Sequence, residues 1–235
     1  MTPPLDRILP VARRLLTLPD GETRSESWLC EHSERVMRAA RMIAKLPEVA
    51  AREPDVTAVQ VAGLFHDAGW AVQVRQGRLD RWQILSRPTN DIQRELGASL
   101  LKDEVAHMLP AETARRAIEA VRQCNDRHSD LIEAQVLAEA ENLDDIGVMY
   151  LLRQFRQYQA EGRPLEQLLA SWQRQHEYRF WEARVADSFR FDLTRDLARA
   201  RLKAVAQFMG VLGIEQTAGD LEAVLLEAGV EVTSV

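Results

Sequence analysis

The chain has 235 residues, 46% of them hydrophobic, with 30 Lys and Arg against 36 Asp and Glu for a formal charge of −6. That length and apolar content support one sizeable core with room for an appended part, and the acidic balance argues against a general nucleic-acid binder, which needs a basic footprint. Two cysteines, Cys30 and Cys124, exclude both a disulfide framework and a four-thiolate zinc site.

The opening residues are interrupted by Pro3, Pro4, Asp6, Pro10, Arg13 and Arg14 before an apolar signal core can form. No apolar run approaches the roughly 18 residues needed to span a bilayer. The expected compartment is the cytoplasm, with no membrane partner.

Apolar residues recur at helical spacing almost throughout, so the chain reads as all-α. The first clear helix is expected over about 26–46, where Leu29, Val36, Ala39, Ala40 and Ile43 form a stripe that includes His32. Pro47 closes it. A second helix, over about 55–67, starts at the cap Asp55 and runs through Val59, Ala62, Gly63 and Phe65 into His66-Asp67, with Gly69 as its stop. Residues 72–89 lack helical period and read as an irregular excursion with a short hairpin at Gln76-Gly77.

Helices follow over about 90–107, 111–125 and 130–157, and Gly162-Arg163-Pro164 marks the next boundary. Beyond it, helices over about 165–187 and 193–212 and a short one ending at Gly229 read as a buttress, rich in bulk and aromatics and poor in convergent polar groups.

Four groups with metal-ligand chemistry sit on apolar stripes: His32, His66, Asp67 and Glu141. Burying such groups without a partner costs a few kcal/mol, so they call for one. Two imidazoles and two carboxylates from separate helices make a mixed N/O set suited to Mn, Fe, Ni, Zn or hydrated Mg. Spacing alone leaves open a metal site and a histidine ending a buried helix. The remaining polar candidates have plainer readings. His107 meets the last carbonyls of its helix, His128 is a solvated loop residue, and His176, aligned with Trp172 and Phe180, lies at a core edge. Asp144 and Asp145 either orient a ligand histidine or face solvent, and Arg35 and Arg94 either meet an anionic substrate or sit in ordinary ion pairs.

The order His32, then His66-Asp67, then an acidic residue on a later helix resembles the H…HD…D signature of the HD superfamily of metal-dependent phosphohydrolases. "LFHDAG" resembles that family's apolar-HD-small-Gly block, and "EAQVLAEAENLDDIG" (133–147) resembles the "EAxxLxDADxLDxxG" block of small bacterial HD proteins. The likeness covers about residues 28–155. It implies an HD-domain helical core over 1–160, with a C-terminal helical extension over 161–235 packed on it.

The resemblance also implies one divalent metal on His32, His66, Asp67 and Glu141. Glu141 stands where the family has Asp, and Glu139 replaces the first Asp of the block. Members with two metals draw further histidines from places where this chain has Gln93-Arg94 and Cys124-Asn125, and Trp70 replaces a common Lys. The implied activity is that of a phosphomonoesterase or phosphodiesterase on a phosphorylated small molecule such as a nucleotide. Water would be activated on a single metal and oriented by Asp67, with Arg94 standing in for part of a second metal's charge. The alternatives are a catalytically degenerate HD protein with a ligand-binding or regulatory role, and a purely structural helical domain. The last leaves His32, His66 and Asp67 unexplained. A homodimer stays open, since apolar positions do not show which helix faces a neighbour.

Overall fold

The computed structural model describes residues 4–20 and 24–230. Helix α1 (Pro4–Leu16) precedes the first helix identified from periodicity, with Pro10 inside it. A proline in a helix interior costs about 3 kcal/mol. Ile8, Ala12 and Leu16, however, form a buried stripe at intervals of four. Its burial, at roughly 1.5–3 kcal/mol for each large side chain, outweighs the proline. An antiparallel ribbon, β1 (Leu18–Asp20) and β2 (Arg24–Glu26), leads into α2 (Trp28–Ile43).

Helix α2 buries Leu29, His32, Ser33, Val36, Met37, Ala40 and Ile43 on one stripe, as its helical spacing requires. After the short α3 (Pro47–Ala50), Asp55 caps α4 (Val56–Phe65) by accepting the Ala58 N–H at 2.9 Å. Eight of the ten residues of α4, Ala58 to Phe65, are buried, which marks a helix enclosed on all sides. It packs among α1, α2, α7 (Ala111–Gln123) and α8 (Ile132–Asp144).

Helix α5 (Ala68–Arg75) follows α4 after only the His66-Asp67 joint and lies against α6 (Asp91–Glu104). A side chain at Gly69 would place its Cβ 2.0 Å from the Gln93 carbonyl oxygen, so only glycine permits this approach. Residues 72–89 are irregular from Gln76 on, apart from one short helical turn at Arg81–Gln83, but differ from expectation at their start. The helix runs on to Arg75, and Gly77, at φ +67°, ends it with the Arg78 N–H donating to the Gln73 carbonyl at 2.9 Å. No hairpin forms there among the described residues, because those N–H groups are already taken up in closing the helix.

The single helix expected over 130–157 is two. Helices α8 and α9 (Val148–Ala160) are separated at Gly147, whose φ of +124° no ordinary side chain tolerates. Likewise 165–187 divides into α10 (Leu165–Glu177) and α11 (Phe180–Ser188) at Arg179, φ +52°. Helices α12 (Asp192–Gln216) and α13 (Gly219–Glu227) complete the chain. Trp181, Val185, Phe189, Phe191 and Ala198 join the main core. A second, smaller cluster of Leu151, Tyr158, Leu168, Val205 and Met209 lies among α9, α10 and α12. Among the described residues no helix is long and apolar enough to cross a membrane.

Candidate metal centre

His66 ends α4 and Asp67 precedes α5, at φ −107° and ψ 10°, off the helical path. That step out of the helix lets two adjacent side chains turn to one point. His32, from the middle of α2, faces them. Its Nε2 lies 3.2 Å from His66 Nε2 and 3.2 Å from Asp67 Oδ2, and His66 Nε2 lies 3.4 Å from the same oxygen. All three residues are buried.

Neighbouring groups fix both rings. His32 Nδ1 donates to Asp144 Oδ2 at 2.7 Å, and Arg35 grips Asp144 with Nε at 2.9 Å and a second nitrogen at 3.2 Å. His66 Nδ1 donates to the Gly63 carbonyl at 2.9 Å. With the Nδ1 protons directed outward, both Nε2 lone pairs face the Asp67 carboxylate across a small gap. Three acceptors converging in a buried space need a cation or a proton between them, and this donor set suits a divalent metal. The protein alone answers with a proton. Burial would lower the His32 pKa, but Asp144 and Asp67 outweigh it and raise it to about 9. Burial dominates at His66 and lowers its pKa. Burial would raise Asp67, yet the two histidines and Arg94 hold it far below the usual carboxylate range.

The other oxygen of Asp67 is held as well. Thr89 Oγ1 donates to Oδ1 at 2.6 Å while accepting from Trp70 Nε1 at 2.8 Å. Trp70, where the family has Lys, thus anchors the residue that orients Asp67. Asn125 donates to the Thr89 carbonyl at 3.2 Å and accepts from Arg94 at 2.9 Å. Sequence reasoning missed Thr89, which lies in the aperiodic segment and carries no signal of its own. It noted Asn125 only as a departure.

Glu141 stands apart from the three convergent ligands. Arg94 engages both its oxygens, at 2.7 and 2.9 Å, and Glu141 is not among the groups whose ligand atoms lie within 4.8 Å of one another. Its added methylene carries the carboxylate towards α6, where Arg94 meets it. Arg94 is itself buried, with one guanidinium nitrogen 3.9 Å from Asp67 Oδ1, and neither that nitrogen nor Nε has a hydrogen-bond partner among the described residues. Burial opposes its charge, but Cys124, Glu141 and Asp67 together outweigh it and raise its pKa. Elsewhere, His107 and His128 are exposed, and His176 is exposed against Trp172 at 6.5 Å between centroids.

A cavity of about 190 Å³ adjoins the centre, lined by His32, Asp67, Thr89 and Glu141 and by Arg87, Arg153 and Arg184. Arg184 belongs to α11, in the region read from sequence as a buttress with few convergent polar groups. It is one of the few convergent polar groups there, and through it α11 reaches the cavity.

The HD domain family model matches residues 29–146, half of the chain, and the protein belongs to the HD-domain family. Among solved structures, Bacillus subtilis YpgQ is 22% identical with a TM-score of 0.59, over 90% of this chain and 95% of its own. The same protein in complex with ADP aligns at 22% identity and 0.58, over 90% and 94%. A predicted HD superfamily hydrolase from an uncultured Thermotogales bacterium is 20% identical with a TM-score of 0.57, over 91% and 94%. At these identities the likeness is one of fold, and it extends into the helices beyond residue 146. No curated protein matches the chain.

Proposed function

We propose that this protein is a metal-dependent phosphohydrolase acting on a phosphorylated small molecule such as a nucleotide. The observation that carries the reading is the convergence of His32 Nε2, His66 Nε2 and Asp67 Oδ2 beside an arginine-lined cavity. Membership of the HD family supports the reaction class. The complex of Bacillus subtilis YpgQ with ADP supports a nucleotide as ligand.

His32, His66 and Asp67 would hold the ion, with Glu141 as a fourth group if Arg94 releases it. When bound, a divalent cation supplies Lewis acidity, acidifying water and drawing charge from a phosphoryl oxygen. The chain's own residues do the rest. Asp144 keeps His32 in the tautomer that presents Nε2. Thr89 fixes the Asp67 carboxylate, leaving it to orient an attacking water. Arg94, with two guanidinium nitrogens unpartnered among the described residues and one of them 3.9 Å from Asp67, offers positive charge to the phosphoryl group.

Protein prepared without chelator should contain a stoichiometric transition metal, or gain phosphomonoesterase or phosphodiesterase turnover with added Mn, Ni, Co or Mg. An absence of both would remove the hydrolase reading. Arg94→Ala with unchanged kcat would remove only its role. The Arg94–Glu141 pair, in which one guanidinium nitrogen donates to both carboxylate oxygens, favours one second reading, a catalytically degenerate HD protein that binds a ligand in the same cavity, since it leaves three protein groups for a metal. Ligand binding without metal or turnover is the outcome expected of it.

A further inference from the structure

We propose that Arg153 of α9 and Arg184 of α11, held together on Asp145 in a cavity that Arg87 also lines, form a subsite for a second phosphate. The preferred substrates would then carry a diphosphate or longer chain rather than a single phosphoryl group. This deepens the phosphohydrolase reading and rests on it.

Charge in the cavity carries the argument. At the centre, Glu141 is neutralised by Arg94, and Asp67 faces the two histidines. The arginine-lined part is different. Asp145 accepts a hydrogen bond from Arg153 and another from Arg184 at 2.8 Å. Arg87 has no ion-pair partner among the described residues and lies 5.9 Å from the Trp70 ring. Guanidinium groups stay protonated, so three positive charges and one carboxylate line this part of the cavity, an excess of two, of which the charge on Arg87 is exposed to solvent. The Arg153 and Arg184 side chains are only 13% and 25% exposed, which limits their screening by salt.

The two guanidinium groups are also positioned. Arg153 lies 5.9 Å from the centroid of Tyr150 and Arg184 5.9 Å from that of Trp181, and these rings meet edge to face at 4.9 Å. Each arginine commits one terminal nitrogen to Asp145 and keeps further N–H groups in a planar fork that suits phosphate oxygens. A phosphoryl group at the metal centre leaves this excess unanswered, whereas a second phosphate answers it.

The test is calorimetric titration of inorganic pyrophosphate and inorganic phosphate into the wild type, Arg184→Gln, Arg184→Lys and Asp145→Asn, with thermal melts for each. The same four proteins are assayed on di- and monophosphate esters with metal. Arg184→Gln should weaken pyrophosphate binding roughly ten-fold or more while changing phosphate binding little, with KM rising for diphosphate esters and kcat held. Arg184→Lys keeps a charge beside Asp145 and should fall between the two. Asp145→Asn releases both arginines and should tighten pyrophosphate binding.

A merely structural role makes Asp145→Asn and Arg184→Gln fail together, and that result overturns the subsite. So does an unchanged pyrophosphate affinity in Arg184→Gln while the wild type still turns over phosphoesters, which leaves the hydrolase reading intact. Conversely, a wild type without turnover whose pyrophosphate binding follows the expected order overturns the hydrolase reading and keeps the subsite. A wild type that neither binds pyrophosphate nor turns over overturns both.

Discussion

Helices α4 and α12 are built on opposite terms. Eight of the ten residues of α4 are buried, whereas in the 25 residues of α12 only Thr194, Ala198, Val205 and Met209 are. Phe208, Val211 and Ile214 of α12 stand about half exposed. The enclosed helix delivers His66 and Asp67 at its end, where ligand geometry has to be held within fractions of an ångström. The open one delivers no group to the cavity, though its neighbours α9 and α11 do. Two of the three candidate ligands thus hang on the end of an enclosed helix, and the proposed substrate contacts on less enclosed ones.

Substitutions at both ends test that contrast. His66→Ala should have the largest effect, reducing both bound metal and turnover to background, as read by elemental analysis and a phosphoester assay. Retained metal would show that α4 does not carry the centre. Next comes Gly69→Ala, whose Cβ meets the Gln93 carbonyl. It should lower stability by about 3 kcal/mol in denaturant unfolding by prying α5 from α6. Asp144→Asn should weaken metal affinity by roughly 10–100-fold and also lower the melting temperature, because it frees the His32 tautomer and leaves Arg35 without its carboxylate. At the far end, Val211→Ser on the open face of α12 should stay within about 0.5 kcal/mol of the wild type. A larger loss there would mean that a partner covers this face.

Much of the first region is legible in the sequence, for identifiable reasons. The stripe of α2 keeps one period from Leu29 to Ile43, so the facing of His32 follows from its register. The Asp55 cap and the apolar run to Phe65 announce α4 and leave His66-Asp67 at its end. Where local rules are overridden, the reading fails. Pro10 masks α1 because the burial that outweighs it is tertiary. The break at Gly147 was invisible because glycine is tolerated in helices, and only its φ distinguishes this one.

The site is uneven in the same way. Thr89 reaches Asp67 from a segment without period, and Arg184 reaches the cavity from a helix far along the chain. Nothing near either residue signals those contacts. Trp70 was recognisable as a missing Lys, but not as the donor that steadies Thr89.

The enclosure of α4 also bears on time. Its backbone amides have no local route to solvent, so their hydrogen exchange should follow whole-molecule unfolding, while those of α12 and α13 exchange through fraying. The joint that follows α4 shares this protection, because α5 is clamped to α6 at Gly69. An ion seated there would have to leave through the cavity mouth, and its residence time would be set by the ligands and the lining arginines, not by opening of the backbone beneath.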